Sequence, residues 1–248
     1  MTRNGTNADF VAVDERIVGF APSTLSPSQA AAVPLTLLTA WEGLFEGLGL
    51  KPLDDANLGK TLPILPGAGG VGSLVIQLAK KLAGLTVIAT ASRPESQAAV
   101  LALGADVVIN HRSSAGPLKE QLEAKGISGV DYIYNAYDTA ANFDQYAEII
   151  NPPGKIVSIA ETKKELPLTE LIFKRVTFVW ELMFTRTIFD VDPIKQHRIL
   201  NNGAKFIDEG LLKLPDVAVL PYPVESMREA HRLQETGTMI GKQVLTME

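Results

Sequence analysis

No cysteine occurs in the 248 residues, which excludes a disulfide, a thiolate nucleophile and a cysteine-based zinc site. Histidine is scarce: His111, His197 and His231 stand far apart without metal-ligand spacing, so no metal site is expected. There is no apolar run long enough to cross a bilayer or act as a signal peptide, and the N-terminus is polar, so a cytoplasmic protein is expected. Positive charge is not in excess either. A net charge of -5 without a basic stripe on any expected helix argues against nucleic acid or an anionic membrane as partner and points to a small molecule. No internal repeat or low-complexity segment appears, and 46% hydrophobic against 21% charged residues is ordinary globular composition, enough for one large domain or one and a half.

What the sequence contains is organised around residues 61–72. A short apolar run, Thr61-Leu62-Pro63-Ile64-Leu65-Pro66, enters Gly67-Ala68-Gly69-Gly70-Val71-Gly72. The run that leaves it puts Val71, Leu74, Val75, Leu78 and Leu82 on one face at helical spacing. This predicts strand, glycine turn and helix. The first glycine turns the chain, the second admits a pyrophosphate close to the backbone, and the third lets helix pack on strand. Phosphates then rest on free N–H groups at the helix N-terminus. Glycines also gather in loops for steric reasons alone, but a second apolar strand at 85–90, spaced for a βαβ unit, favours a dinucleotide site.

The end of that second strand selects the dinucleotide. NAD sites carry Asp or Glu about 20 residues after the glycines to hold the ribose hydroxyls. Here the chain reads Ala91-Ser92-Arg93-Pro94-Glu95, where Ser92 offers a hydroxyl and Arg93 a charged fork to a 2′-phosphate, so NADP(H) is the expected cofactor. Ser92-x-x-Glu95 also has capping-box spacing with Pro94 in the first turn, so Ser92 can start a helix, alone or while binding an anion.

Along the rest of the chain, an alternating run at 10–18 reads as one or two strands in need of a partner sheet. Ser26-Pro27-Ser28-Gln29 is a capping box that opens a short helix, and a second helix follows Pro34 with Leu35, Leu38, Trp41, Phe45 and Leu48 along one face. After the second strand, helices at 95–103, 116–125 and 140–150 alternate with strands at 106–110, 130–135 and 155–160, the last following a Pro152-Pro153-Gly154 turn. With a sixth strand at 176–184 this is a doubly wound, Rossmann-type α/β fold with a parallel sheet of about six strands. A helix at 193–209 follows, and the tail adds a strand near 217–220, a helix at 224–236 and a strand at 241–246. Pro63 and Pro66 fall where a central strand should donate ladder hydrogen bonds, which predicts a distorted first strand and a reshaped phosphate loop.

Several segments together resemble the medium-chain dehydrogenase/reductase superfamily, in its quinone-oxidoreductase-like, zinc-type alcohol dehydrogenase-like branch. They are Val13-Asp14-Glu15-Arg16-Ile17-Val18-Gly19, Pro34-Leu35-Thr36-x-Leu38-Thr39-Ala40-Trp41-Glu42, the glycine turn, Ala89-Thr90-Ala91-Ser92-Arg93-Pro94-Glu95, Leu103-Gly104-Ala105-Asp106 and Phe178-Val179-Trp180-Glu181-x-Met183-Phe184-Thr185-Arg186. The resemblance implies NADP(H)-dependent hydride transfer to quinones or to the C=C bond of α,β-unsaturated carbonyls. It places Ser92, Arg93, His111 and Arg112 around the adenosine 2′-phosphate, and Asn135, Ile159 and Ala160 along the nicotinamide. Thr36 and Thr39 fall near the nicotinamide as well, with helix capping or packing as their plain alternative. The resemblance also implies a homodimer through the strand at 176–184, which is apolar enough to need cover.

The family carries a separate N-terminal, GroES-like domain. The chain is expected to begin near its end, so that 22–214 form the NADP(H)-binding domain and 1–21 with 215–248 are remnants of the substrate domain. Two other functions therefore stand beside the reductase: a dinucleotide- or small-molecule-binding protein without turnover, and a repurposed isomerase or cyclase using the same cleft. For the reductase a proton donor could be Tyr132, Tyr134, Tyr137 or water, each tyrosine having packing as its alternative, and no catalytic residue is assigned.

Overall fold

The computed structural model describes residues 8–214 and 216–247, so residues 1–7, 215 and 248 of the expected remnants lie outside the described residues. In chain order the helices and strands are α1 (Pro27–Ala31), α2 (Pro34–Trp41), β1 (Thr61–Leu65), α3 (Gly70–Lys81), β2 (Thr86–Thr90), α4 (Pro94–Ala102), β3 (Val107–Ile109), α5 (Leu118–Glu123), β4 (Val130–Asn135), α6 (Thr139–Ile149), β5 (Ile150–Ser158), β6 (Thr177–Trp180), α7 (Thr185–Phe189), α8 (Ile194–Asp208), β7 (Val217–Pro221), α9 (Val224–Glu235) and β8 (Lys242–Thr246). The α1 capping box is present: Gln29 N–H donates to Ser26 Oγ at 3.2 Å, and Ser26 N–H donates to Gln29 Oε1 at 3.0 Å.

Six strands form one parallel sheet in the order β3-β2-β1-β4-β5-β6. Side chains alternate along each strand, so the sheet feeds two separate cores. Leu62, Ile64, Val87, Ala89, Tyr132, Tyr134 and Val157 pack under α2, α3 and α8. Leu65, Ile88, Ile133 and Ile156 pack with Leu118, Leu122, Phe143 and Tyr146 of α5 and α6 on the other face. Burial on both faces is what a parallel sheet with crossover helices requires. The strand order reverses between β1 and β4, and ligands of such sheets lie outside the carboxyl ends at that switch.

The first strand is less disturbed than its prolines predict. The β1–β2 register runs unbroken from Thr61 to Ile64, with Pro63 opposite Ile88. Toward β4, Leu65 O accepts from Ala136 N at 2.6 Å and Thr61 N–H donates to Asp131 Oδ2 at 2.9 Å. Alternation therefore points the Pro63 nitrogen at β4, where the register covers only Ile64 and Leu65. The lost donor costs a ladder bond on that side alone. Pro66 sits past the strand end, its peptide with Leu65 cis.

Other boundaries differ from the periodic reading. The strands expected at 10–18 are absent; the segment holds a 3₁₀ turn at Glu15–Ile17, and Phe10 and Phe20 are exposed. The second helix ends at Trp41 and widens into a π-helical turn at Glu42–Gly47. The expected turn at 152–154 lies within β5, whose pairing with β4 shifts register between Val130 and Tyr132. The sixth strand is shorter than 176–184. In the tail, β7 and β8 pair with each other in parallel, as a sheet apart from the six strands.

Candidate functional site

A cleft of about 380 Å³ opens beyond the carboxyl ends of β1 and β2. Pro66, Ala68 and Gly69 of the glycine turn form one wall, and Thr90, Ser92, Arg93 and Ser96 another. His111, Arg112 and Tyr137 enter from the loops after β3 and β4, and residues 236–239 between α9 and β8 close the side.

The three glycines do different things. A Cβ on Gly67 would lie 2.8 Å from the Ala89 Cβ, and one on Gly72 would collide with the carbonyl oxygens of Pro66 and Gly67, so both positions are closed by packing. A Cβ on Gly69 would meet nothing within 4 Å, because this backbone borders the open cleft. Gly69 is also the N-cap of α3, whose first N–H groups leave the helix here. A diphosphate fits this arrangement: bare backbone, a helix N-terminus and open space coincide. Gly70, Val71 and Gly72 are the first turn of α3 and do not line the cleft.

The β2 end is basic. Arg93 rather than Ser92 is the N-cap of α4; Ser96 Oγ accepts from Arg93 N at 3.1 Å and donates to Arg93 O at 2.8 Å. The capping role expected for Ser92 thus falls to its neighbours, one residue on, and the Ser92 hydroxyl is left in the cleft wall. Arg93 reaches across to donate to Thr238 O at 2.6 Å, with Glu95 at 3.8 Å from its Nε. His111 Nδ1 lies 3.1 Å from Thr90 Oγ1, and burial, then the Arg112 charge, lower its pKa, which keeps it neutral near pH 7. Among the described residues no acidic side chain lines the cleft.

The residues expected beside a nicotinamide divide. Asn135 is fully buried and is not among the residues lining the cleft. Its Nδ2 donates to Thr139 Oγ1 and Ser158 Oγ, both at 2.9 Å, and its Oδ1 accepts from Tyr146 O–H at 2.7 Å and Tyr137 N–H at 3.2 Å. This network locks the carboxyl ends of β4 and β5 to α6, and it holds the partly exposed Ile159 and Ala160 through Ile159 N–H to Asn135 O at 3.0 Å and Thr139 Oγ1 to Ala160 O at 2.5 Å. Thr36 is buried against the glycine turn, and its hydroxyl donates back to Ala32 O and Val33 O; Thr39 does the same to Leu35 O. Of the tyrosines, Tyr134 is buried and donates to Thr39 O at 2.8 Å, Tyr132 lies at the amino edge of the sheet, and Tyr137 lines the cleft.

Residues 236–239 escape the sequence reading, because they sit some 145 positions from Arg93 and show only a short Thr-Gly-Thr turn, a signal without a ligand attached. A carboxylate cluster near the β6 end was equally silent. Arg186 pairs with Glu42 at 3.0 Å and Glu46 at 2.5 Å, while Glu181 Oε1 is buried without a hydrogen-bond partner. Burial, reinforced by Glu42 and Glu46, pushes the Glu181 carboxyl up to about 8.

A family model for zinc-binding dehydrogenases matches residues 70–191. A zinc-type alcohol dehydrogenase-like protein of Staphylococcus epidermidis is 38% identical over 248 residues, covering 99% of this chain and 73% of the relative. The chain belongs to the zinc-type alcohol dehydrogenase-like proteins. Within the medium-chain dehydrogenase/reductase superfamily it is therefore an oxidoreductase with a Rossmann-like sheet. A solved Rhizobium etli structure, from a protein grouped with the zinc-dependent alcohol dehydrogenases, superposes with a TM-score of 0.88 at 39% identity, over 99% of this chain and 71% of that one. An NADPH-dependent alkenal/one oxidoreductase of Arabidopsis thaliana is 34% identical over 155 residues, 62% of this chain and 36% of the relative. For the zinc in the family's name the sequence offers no cysteine, and among the described residues no group of three His, Asp or Glu side chains could hold a metal ion.

Proposed function

We propose that this member of the family binds NADP(H) in the 380 Å³ cleft and reduces quinones or the C=C bond of α,β-unsaturated carbonyls by hydride transfer, in the cytoplasm. The observation that carries the cofactor reading is the make-up of the cleft: Arg93, Arg112 and the Ser92 hydroxyl beside the β2 end, with no carboxylate on the wall among the described residues. A 2′-phosphate there gains charge-assisted bonds, and a ribose 2′-hydroxyl finds no acceptor of the kind NAD sites provide. When bound, the nicotinamide supplies the hydride, so the protein needs positioning and electrostatics rather than a nucleophile. Gly69 and the start of α3 would hold the diphosphate, and the Asn135 network would fix the strand ends that flank the ring. Tyr137 is the tyrosine within reach of the cleft for proton delivery. The Arabidopsis relative supports the enone class.

Titration with NADPH and with NADH, followed by nicotinamide fluorescence, tests the cofactor. Micromolar NADPH binding, about 8 kcal/mol, with clearly weaker NADH is expected, and binding of neither overturns the reading. Consumption of NADPH with a simple quinone or enone then separates a reductase from a protein that only binds the dinucleotide.

We also propose that two copies join through β6. It is the outer strand of the sheet, and Trp180 at its end and Leu182 just beyond are about half exposed. An uncovered apolar edge of this kind invites pairing.

A further inference from the structure

At the edge of the sheet opposite the dinucleotide cleft, a pocket of about 490 Å³ is bounded by the amino ends of β1 and β4 and the first half of β5. Three lysines line it. Lys60 precedes β1, Lys155 lies in β5, and Lys51 lies in the loop before β1. Lys60 Nζ donates to Tyr132 Oη at 3.2 Å and sits 5.6 Å from that ring's centroid, while Lys155 Nζ donates to Leu48 O at 2.7 Å.

Each of these ammonium groups keeps protons to spare, and none has a carboxylate within ion-pair distance among the described residues, although this is a protein of net charge -5. The wall also carries two carboxylates, which keep their charge, so its three ammonium groups leave one positive charge in excess, and both carboxylates accept local hydrogen bonds. Asp131 Oδ2 accepts from Thr61 N and Oγ1, at 2.9 and 3.0 Å, and Asp54 Oδ1 accepts from Ala56 N at 2.8 Å. Accepting from Lys60 leaves the Tyr132 O–H free to donate as well. Unpaired cations and a free hydroxyl around one concave space favour an anion, and compact ammonium charges without an arginine fork suit a phosphate dianion as point charges. The volume exceeds what a bare phosphate needs, and exposed Pro152 and Pro153 give the rim an apolar side.

We propose that this pocket is a second ligand site, for a phosphate dianion carried on a small organic body, separate from the dinucleotide cleft. The strands between the two are about five residues long, roughly 17 Å at the usual rise, so one small ligand cannot touch both. Binding to the folded state alone would raise the melting temperature with ligand concentration.

The test is calorimetric titration with phenyl phosphate and, separately, inorganic phosphate at low salt, on the wild-type chain and on K60M/K155M, K51Q and R93A. Phenyl phosphate is expected to bind in the submillimolar range and inorganic phosphate more weakly, with about a tenfold or greater loss in K60M/K155M, a smaller loss in K51Q, and the lysine-dependent binding kept in R93A. K51Q changes an exposed side chain, so its smaller loss reads the site even if the double variant folds poorly. Binding that survives the lysine changes but falls in R93A would place the phosphate in the dinucleotide cleft and overturn the proposal. So would the absence of binding by either probe at 10 mM, about the weakest affinity worth calling a site. Tighter binding of inorganic phosphate than of the ester would overturn the organic body.

Discussion

Gly69 and Gly72 stand three positions apart in one turn, and the space around each predicts opposite outcomes for the same substitution. Gly72→Ala drives a methyl group into the Pro66 and Gly67 backbone, which cannot swing aside as a side chain could, and should cost about 3 kcal/mol. Gly69→Ala meets nothing, and its φ of -75° suits alanine, so stability should move by less than about 0.5 kcal/mol. The methyl group would stand where the diphosphate approaches, so NADPH affinity should fall in Gly69→Ala at unchanged melting temperature. Thermal melts and fluorescence titration of the two variants check this, and a Gly69→Ala protein that binds NADPH normally would remove the diphosphate from this turn. Glu181 gives a pH-dependent counterpart. Its carboxyl titrates near 8 in the folded chain against about 4.5 unfolded, so the folded state holds the extra proton between those values, and stability from this group is lost as pH rises through 8. Glu181→Gln keeps the shape without the charge. Its melting temperature should match the wild type near pH 4 and exceed it by a few degrees above pH 8, whereas an equal gain at both pH values would show that ionisation plays no part.

Elements were legible in the sequence wherever one face or both had to be buried. The α3 periodicity, the β2 run and the alternation that splits each strand between two cores are consequences of packing, and packing is what hydrophobic spacing records. Pro63 misled because the sequence shows a missing donor but not the side of the strand it faces; the intact β2 ladder lies on the other side. The stretch at 10–18 misled for another reason, since alternation marks a strand only when one face is buried, and Phe10, Val13 and Val18 are exposed. Asn135 was correctly placed at a strand end, yet its role as the hub of a buried network depends on Ser158 and Tyr146, contacts that no local pattern encodes. At β6 the expected dimer has a direct check. Trp180→Glu places a charge on the outer strand at a half-exposed site, where its only aromatic contact is the edge-on ring of Phe178, 5.1 Å away among the described residues. Sedimentation should show the wild type as a dimer and the variant as a folded monomer. A wild-type monomer at micromolar concentration would dismiss the interface.

On the scale of the whole molecule, the β7–α9–β8 unit meets the sheet at the cleft. No residue of α9 is buried, and the unit's apolar hold on the sheet's core comes through Ile240, just before β8. Its described ties to the cleft are polar and close together: Gly241 N–H to Ala68 O at 3.0 Å, a bridge between Gly69 and Gly241, and the Arg93 guanidinium on Thr238 O at 2.6 Å. A segment held this way opens at low local free energy. A dinucleotide lying between the glycine turn and residues 236–239 would contact both sides and would stabilise the closed arrangement by its own binding free energy. Amide exchange at 236–241 should therefore slow on adding NADPH, while β1 and β4, already buried, change little. Arg93→Ala removes the tie from the sheet side, so exchange at 236–241 should speed up without ligand, and NADPH affinity should fall by about tenfold through loss of a charge-assisted contact. If the segment exchanges equally fast with and without NADPH, the cleft ends at the glycine turn, and Arg93 serves the fold rather than the cofactor.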